Sequence, residues 1–215
     1  MAKTTGPLLS LDASGTIADT LTFSRWRGIG YARQRVIPAN PQSAAQTLTR
    51  SAFKWCSDTY RSAPSLVREP WEAFAAGQPF VSRNAYMGQN TEVLRPATVI
   101  TSMIFSPGAR GGIPPTSIVL TAGVDQLTVD FTNPAAPTGW TLDAAVAAAL
   151  QQQDPQTELF DVWSAGEDTT APIDQVVLTG LTAASDYVVG AWLRWIKPDG
   201  SIAFGPSINA VGTPT

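Results

Sequence analysis

The sequence predicts two folded parts of different class: an α+β front part, built from a small β-ribbon and three helices, and an all-β sandwich behind it. Three observations carry this. Ala44, Leu48, Ala52, Trp55, Cys56 and Tyr60 recur at spacings of three and four, which draws one apolar face along a helix. Residues 106–115, SPGARGGIPP, favour neither helix nor strand. Beyond them, short apolar runs alternate with turn residues to the end of the chain.

The elements follow in order. Residues 1–15 are rich in Gly, Ser and Thr and read as a flexible arm. Thr16-Ile17, residues 20–23 and residues 29–32 alternate with period two. Arg27-Gly28 between the last two runs predicts a hairpin, with Gly28 or Gly30 supplying a positive φ. Asn40-Pro41 reads as the start of the long helix, Asn as cap and Pro at the first position, and Pro64 ends it. Pro70 is expected to open a short helix over residues 71–76, with Gly77 at its C-cap. Ser82 is expected to cap a third helix through Leu94, ended by Pro96, with Ala85, Tyr86, Met87, Val93 and Leu94 as its apolar positions. Ribbon and helices would form an anchoring domain over residues 16–96, joined by a linker over 97–115 to a sandwich over 116–215.

In the sandwich, residues 117–121 and 127–131 read as strands around a Gly-Val-Asp turn. Residues 140–150 fit two templates. Every even position from Trp140 to Leu150 is apolar, as in a strand, whereas the alanines and the spacing of Leu142, Val146 and Ala149 fit a helix. The strands on either side decide for a strand. Further strands are expected over residues 159–164, 175–178, 187–196 and 201–206, with Lys197-Pro198-Asp199-Gly200 as the turn between the last two.

Composition narrows the function classes. Hydrophobic residues make up 44%, including 7 Trp and 8 Phe, which is ample for real cores, while charged residues are only 14%. The net charge of −3 hides a division: residues 1–115 carry 12 Lys and Arg against 6 Asp and Glu, and the remainder carries 2 against 11. There is no histidine, so the commonest general base and metal ligand is missing, and one cysteine allows neither an intrachain disulfide nor a thiolate cluster. No run reaches the ~18 apolar residues of a membrane span, and the first residues lack the apolar run of a signal peptide. The expectation is a non-enzymatic protein made in a cytoplasm, with no cofactor and no metal.

Two resemblances add to this reading. Leu178-Thr179-Gly180-Leu181 followed by Asp186-Tyr187-Val188-Val189 resembles the corner of a fibronectin type III domain, within the immunoglobulin-like sandwiches. The resemblance implies that Leu181 plugs the core and that the Tyr187 hydroxyl ties the corner to the backbone. The chain departs from that family at its early tryptophan: Phe131 stands where the family has Trp, and Trp140 comes later. The front half resembles a module of tailed-phage and prophage structural proteins. The carrying residues are Trp26-Arg27-Gly28, the step Pro38, Asn40, Pro41 with Gln42 and Gln46, the segment Trp71, Phe74, Ala75, and residues 83–87. That resemblance implies a virion component whose partners are capsid, portal, neck or tail subunits and further copies of itself.

Each candidate residue also has a plainer role. Arg25, Arg27, Arg33 and Arg35 surround Trp26 and Tyr31, a pattern that nucleic-acid binding would also use. The acidic total and the alternation, which puts Arg33 and Arg35 on one strand face, favour subunit contact through acidic partners. Gly28 and Gly30 read as turn residues, Trp55 and Trp71 as core. Asp154, Glu158, Asp161, Glu167, Asp168 and Asp174 crowd one region, yet without calcium-loop spacing they read as solvated loops rather than as a metal or catalytic set. Cys56, beside Trp55, reads as buried and inert, and one Arg-Gly-Gly in a linker is weak support for RNA binding. Trp192 and Trp195 lie on opposite faces of one strand, so at least one is expected at the surface, where it could contact protein or a host-surface glycan.

Overall fold

The computed structural model describes residues 15–17, 19–27, 29–37, 39–40, 42–95, 100–152 and 163–215. The chain falls into two compact units, Met1–Gln42 and Ser43–Thr215. Most of the expected N-terminal arm lies outside the described residues, as do Pro38, Pro41 and Pro96.

The first unit is a three-stranded antiparallel ribbon of β1 (Gly15–Ile17), β2 (Leu21–Trp26) and β3 (Ile29–Gln34), in that order. Two residues join β2 to β3, and Arg27, at the first of them, has φ 49. Two-residue hairpin loops need a positive φ there, because only that twist matches the flanking strands. Of the two glycines expected to supply positive φ, Gly30 does not stand in the turn. Gly30 pairs with Arg25 inside the ladder, and Gly28 lies outside the described residues.

The second unit opens with α1 (Ala44–Ser62), α2 (Ser65–Ala75) and α3 (Ser82–Leu94). Ser43, not Asn40, is the N-cap of α1. Pro70 does not open α2 but sits inside it, where its ring nitrogen leaves the Leu66 carbonyl without the usual helical donor. Gly77 follows α2 at φ 79, in a turn closed by the Gln78 amide on the Ala75 carbonyl at 2.9 Å.

Strands β4 (Pro107–Ala109), β5 (Ser117–Gly123), β6 (Gln126–Thr132), β7 (Thr141–Gln151), β8 (Ser164–Asp168), β9 (Gln175–Thr179), β10 (Tyr187–Ile196), β11 (Ile202–Pro206) and β12 (Ile208–Gly212) complete the unit. They form two sheets, β5-β6-β9 and β4-β11-β10-β7-β8, with β12 also paired to β10. All the pairings are antiparallel, and the sheets face each other as a fibronectin type III-like sandwich. Residues 140–150 are therefore strand. The strand expected over 159–164 falls mostly outside the described residues, and β8 begins at its last position.

Side-chain alternation along β7 and β10 serves two cores. Ala145, Ala147 and Ala149 of β7, with Tyr187, Val189, Ala191, Leu193 and Trp195 of β10, point into the sandwich, where they meet Leu127, Val129, Phe131, Val176, Leu178 and Leu181. Ala144, Val146, Ala148 and Leu150, with Val188 and Trp192, point the other way and share a second core with the helices, which supply Trp55, Cys56, Val67, Trp71, Tyr86 and Leu94. The unit is three layers: helices, sheet, sheet.

This corrects the expected domain map. The helices and the sandwich share one core, so the expected linker over 97–115 does not separate two compact bodies. The expected linker belongs to that core as well: Ile100, Met103 and Phe105 are fully buried, and Pro107–Ala109 pairs with β11 as an edge strand. Gly112 runs so close to β11 that a Cβ there would lie 2.2 Å from the Phe204 carbonyl carbon. Gly112 is thus a close-approach residue, whereas Gly111 has open space around it and takes φ 76 in the turn. In addition, Asn90 on α3 holds the segment like a strand partner. Its side chain donates to the Ile104 carbonyl at 3.1 Å and accepts from the Ile104 amide at 2.8 Å.

Phe105 packs against Gly190 in the middle of β10 and meets Trp163 edge-on at 5.8 Å, and a Cβ at Gly190 would sit 2.1 Å from its ring. Gly190→Ala must therefore displace a buried ring from both Trp163 and β10. The expected cost is about 1–3 kcal/mol, read as a lower urea midpoint at unchanged m-value.

Candidate docking interface

The ribbon carries the residues expected to make contacts. Residues directly opposite in an antiparallel pair share a face, so Trp26 with Ile29, Ser24 with Tyr31 and Thr22 with Arg33 line one side. The Arg27 guanidinium lies over the Trp26 ring, 4.9 Å from its centroid, and that of Arg33 lies 6.0 Å from the centre of Tyr31. Trp26 is 65% exposed and Ile29 69%, and none of the ribbon's described side chains is buried. A small sheet with no interior of its own gains nothing from these apolar groups until another surface covers them. The Arg25 side chain lies outside the described residues.

Arg35 departs from the expectation. It lies just beyond β3, its amide bonds the Thr20 carbonyl at 2.7 Å, and its guanidinium pairs with Asp19 of the same ribbon. It is therefore a staple across the β1–β2 connection, and among the described side chains the guanidiniums beside the aromatics are those of Arg27 and Arg33.

The structural candidates lie elsewhere. Trp55 and Trp71 are buried in the helical core. The Trp71 indole donates to the Phe105 carbonyl at 2.8 Å and meets Tyr86 edge-on at 5.2 Å. Leu181 is buried in the sandwich core, and the Tyr187 hydroxyl accepts a hydrogen bond from the Thr182 amide at 2.9 Å, which ties the corner before β10 to its own backbone. The expectation for the sandwich tryptophans is overturned. Trp192 and Trp195 are both buried, one under the helices and one between the sheets, where its indole donates to the Ile113 carbonyl at 2.9 Å. Neither can reach a glycan.

Asp154, Glu158 and Asp161 lie outside the described residues. Asp168 accepts the Thr170 and Asp174 amides in a turn, at 2.9 and 3.2 Å. Among the described residues no group of three or more His, Cys, Asp or Glu is placed to hold a metal ion. Burial pushes the Cys56 thiol up to about 11, so it stays protonated and non-nucleophilic at neutral pH. Arg110, the arginine of the Arg-Gly-Gly run, has φ 55 in the turn after β4 and donates to the Ile202 carbonyl at 3.3 Å.

Sequence reasoning missed one constellation. Arg194, on the helix-facing side of β10, bonds Asp143, lies 2.8 Å from Glu167 and approaches Glu69 of α2 at 3.8 Å. Asp143 is presented by a bulge, since Arg194 pairs with Ala144 and Trp195 with Leu142. Burial would lower the Arg194 pKa, but the hydrogen bond and charge of Asp143, with the charges of Glu167 and Glu69, hold it above its ordinary value. The one signal in the sequence was a lone arginine in an otherwise apolar strand.

No family model matches the chain, and no curated protein matches it. Among solved structures, the fn3 domain of human collagen alpha-1(XX) chain is similar at 22% identity over 51% of this chain and 91% of that one, with a TM-score of 0.36. A crystal structure of an FN3 domain of human collagen XX is similar at 15% identity over 48% of this chain and 92% of that one, TM-score 0.34. The third fibronectin III domain of human KIAA0343 protein gives 16% identity over 51% and 90%, TM-score 0.34. The likeness concerns fold alone.

Arg194→Met would leave three carboxylates facing one another at the junction of α2, β7 and β8. The side chain is 16% exposed, so water screens part of the repulsion, and the expected loss is about 1–3 kcal/mol in chemical denaturation at neutral pH.

Proposed function

We propose that the chain is a non-enzymatic structural component of a tailed-phage particle, a head decoration, neck or tail accessory protein. It docks through its N-terminal ribbon and carries a helix-covered sandwich. One observation supports the docking role above others: the cross-strand pair of Trp26 and Ile29 stands about two-thirds exposed beside two guanidiniums, in a unit whose described residues bury nothing. Aromatic and arginine side chains of this kind dominate the centres of protein interfaces.

The phage assignment draws on the sequence resemblance in Trp26-Arg27-Gly28, in the Pro38 to Gln46 step and in Trp71 with Phe74. It makes the partners other virion proteins and further copies of the chain, and the place of work the virion, after synthesis in a host cytoplasm. The domain map changes what does the anchoring. The helices belong to the body with the sandwich, which supports assigning the docking role to the ribbon alone.

Two measurements test the reading separately. Mass spectrometry of purified particles should find the protein in fixed stoichiometry, and its absence would overturn the phage assignment. Trp26→Ser with Ile29→Ser should keep the wild-type melting temperature, since both side chains are exposed, yet reduce incorporation by about 30-fold or more. Unchanged incorporation would remove the ribbon from the docking role.

A further inference from the structure

We infer that the ribbon of one copy docks on the outer face of the β5-β6-β9 sheet of a second copy, head to tail. This rests on the docking role proposed for the ribbon and names its partner surface.

Charge makes the first part of the case. No Lys or Arg occurs between Arg110 and Arg194, so β5, β6 and β9 carry no cation at all. Asp125 stands in the turn at one end of this sheet, and Asp130 and Asp174 stand at the other. The ribbon is the opposite: Arg25, Arg27, Arg33 and Arg35 face only Asp19 between residues 16 and 40, and Asp19 is engaged with Arg35. Two ribbons set face to face would bring Arg27 and Arg33 against their own copies. Ribbon on sheet brings arginine to carboxylate.

Shape makes the second part. The outer face of β5-β6-β9 is formed by cross-strand rows, Val119 with Asp130 and Gln175, then Thr121 with Thr128 and Val177. Val119 on β5 is 59% exposed and Val177 on β9 45%, so the face has an exposed valine on each outer strand and Thr128 with Asp130 on the central strand between them. The helices pack on the outer face of the other sheet, over β7 and β10, whereas Val119 and Val177 stand exposed on this one. On the ribbon, Trp26, Ile29 and Tyr31 give apolar groups for the two valines, and Arg27 and Arg33 beside them give cations for Asp130. The two faces belong to different surfaces of the chain, so the contact is heterologous and repeats from copy to copy into a ring or a filament.

The test uses the full-length chain with two blocked forms. The ribbon-blocked form is Trp26→Ser with Arg33→Glu, and the sheet-blocked form is Val119→Lys with Val177→Lys. All four positions are exposed, and thermal melting checks that each form folds. In sedimentation velocity the wild type should show concentration-dependent oligomers that dissociate with salt, and each blocked form should associate about 30-fold or more weakly. An equimolar mixture of the two blocked forms should give a 1:1 heterodimer and nothing longer, because one intact ribbon and one intact sheet remain. A monomeric wild type, a sheet-blocked form that assembles like wild type, or a mixture without heterodimer would each overturn the inference. So would binding of a single-stranded DNA oligonucleotide that the ribbon-blocked form loses and the sheet-blocked form keeps. If the wild type is monomeric yet particle incorporation still depends on Trp26 and Ile29, the docking role stands and only this partner fails.

Discussion

Strands β7 and β10 pair along nearly their whole lengths and are buried on both sides. A strand with one wet face alternates apolar and polar residues. Residues 144–150 of β7, AAVAAAL, have no polar position because neither face is wet. The small side chains let both the helices and the second sheet approach closely. At Gly190 even a methyl group is too much, because Phe105 occupies that space. Removing the helices would expose Val146, Leu150, Val188 and Trp192, each worth about 1.5–3 kcal/mol of burial. The sandwich therefore depends on its helical cover, and the helices have no other core to join.

Polar groups close the same junction. Arg194 draws Glu69 of α2 to Asp143 and Glu167 of the sheet. Trp71 and Trp163 each donate across it, to the carbonyls of Phe105 and Thr59. Such buried donors cost free energy when unpaired, so they fix the orientation of the layers as well as adding to their cohesion. Among its described residues the ribbon has no such buried donor. Its strands are held by their ladder and the Arg35–Asp19 pair, and its largest apolar groups face outward. The body is finished as a folded object, whereas the ribbon presents the kind of surface that interfaces cover.

Much of the fold was legible from local rules. Helical spacing marked α1, and Ser82 fell within one residue of the cap of α3. Tyr187 and Leu181 identified the corner from a short motif, because a buried hydroxyl and a buried leucine there leave little freedom in sequence. What was missed depended on partners distant in the chain. Proline and glycine in residues 106–115 look like a linker until β11 is placed beside them, and then the same residues make an edge strand and a close backbone approach. Pro70 obeyed a local start rule, but α2 begins five residues earlier, at Ser65, and carries the proline inside. The tryptophans of β10 were assigned one face to water on the assumption of an uncovered sheet. The uniformly apolar β7 was the available sign that both faces are covered. In the ribbon, the arginines were visible as a cluster, but only the register showed which of them stand with the aromatics and which one is tied to Asp19.

The central claim is that the helices and the sandwich are one cooperative body because they share β7 and β10. Hydrogen exchange through a urea titration, read by mass spectrometry for each element, tests this most directly. The account predicts that peptides from α1, α2 and α3 lose protection at the same urea concentration as peptides from β5, β6 and β9. Loss of the helices at lower urea, with β7 and β10 still protected, would contradict it and restore two independent domains.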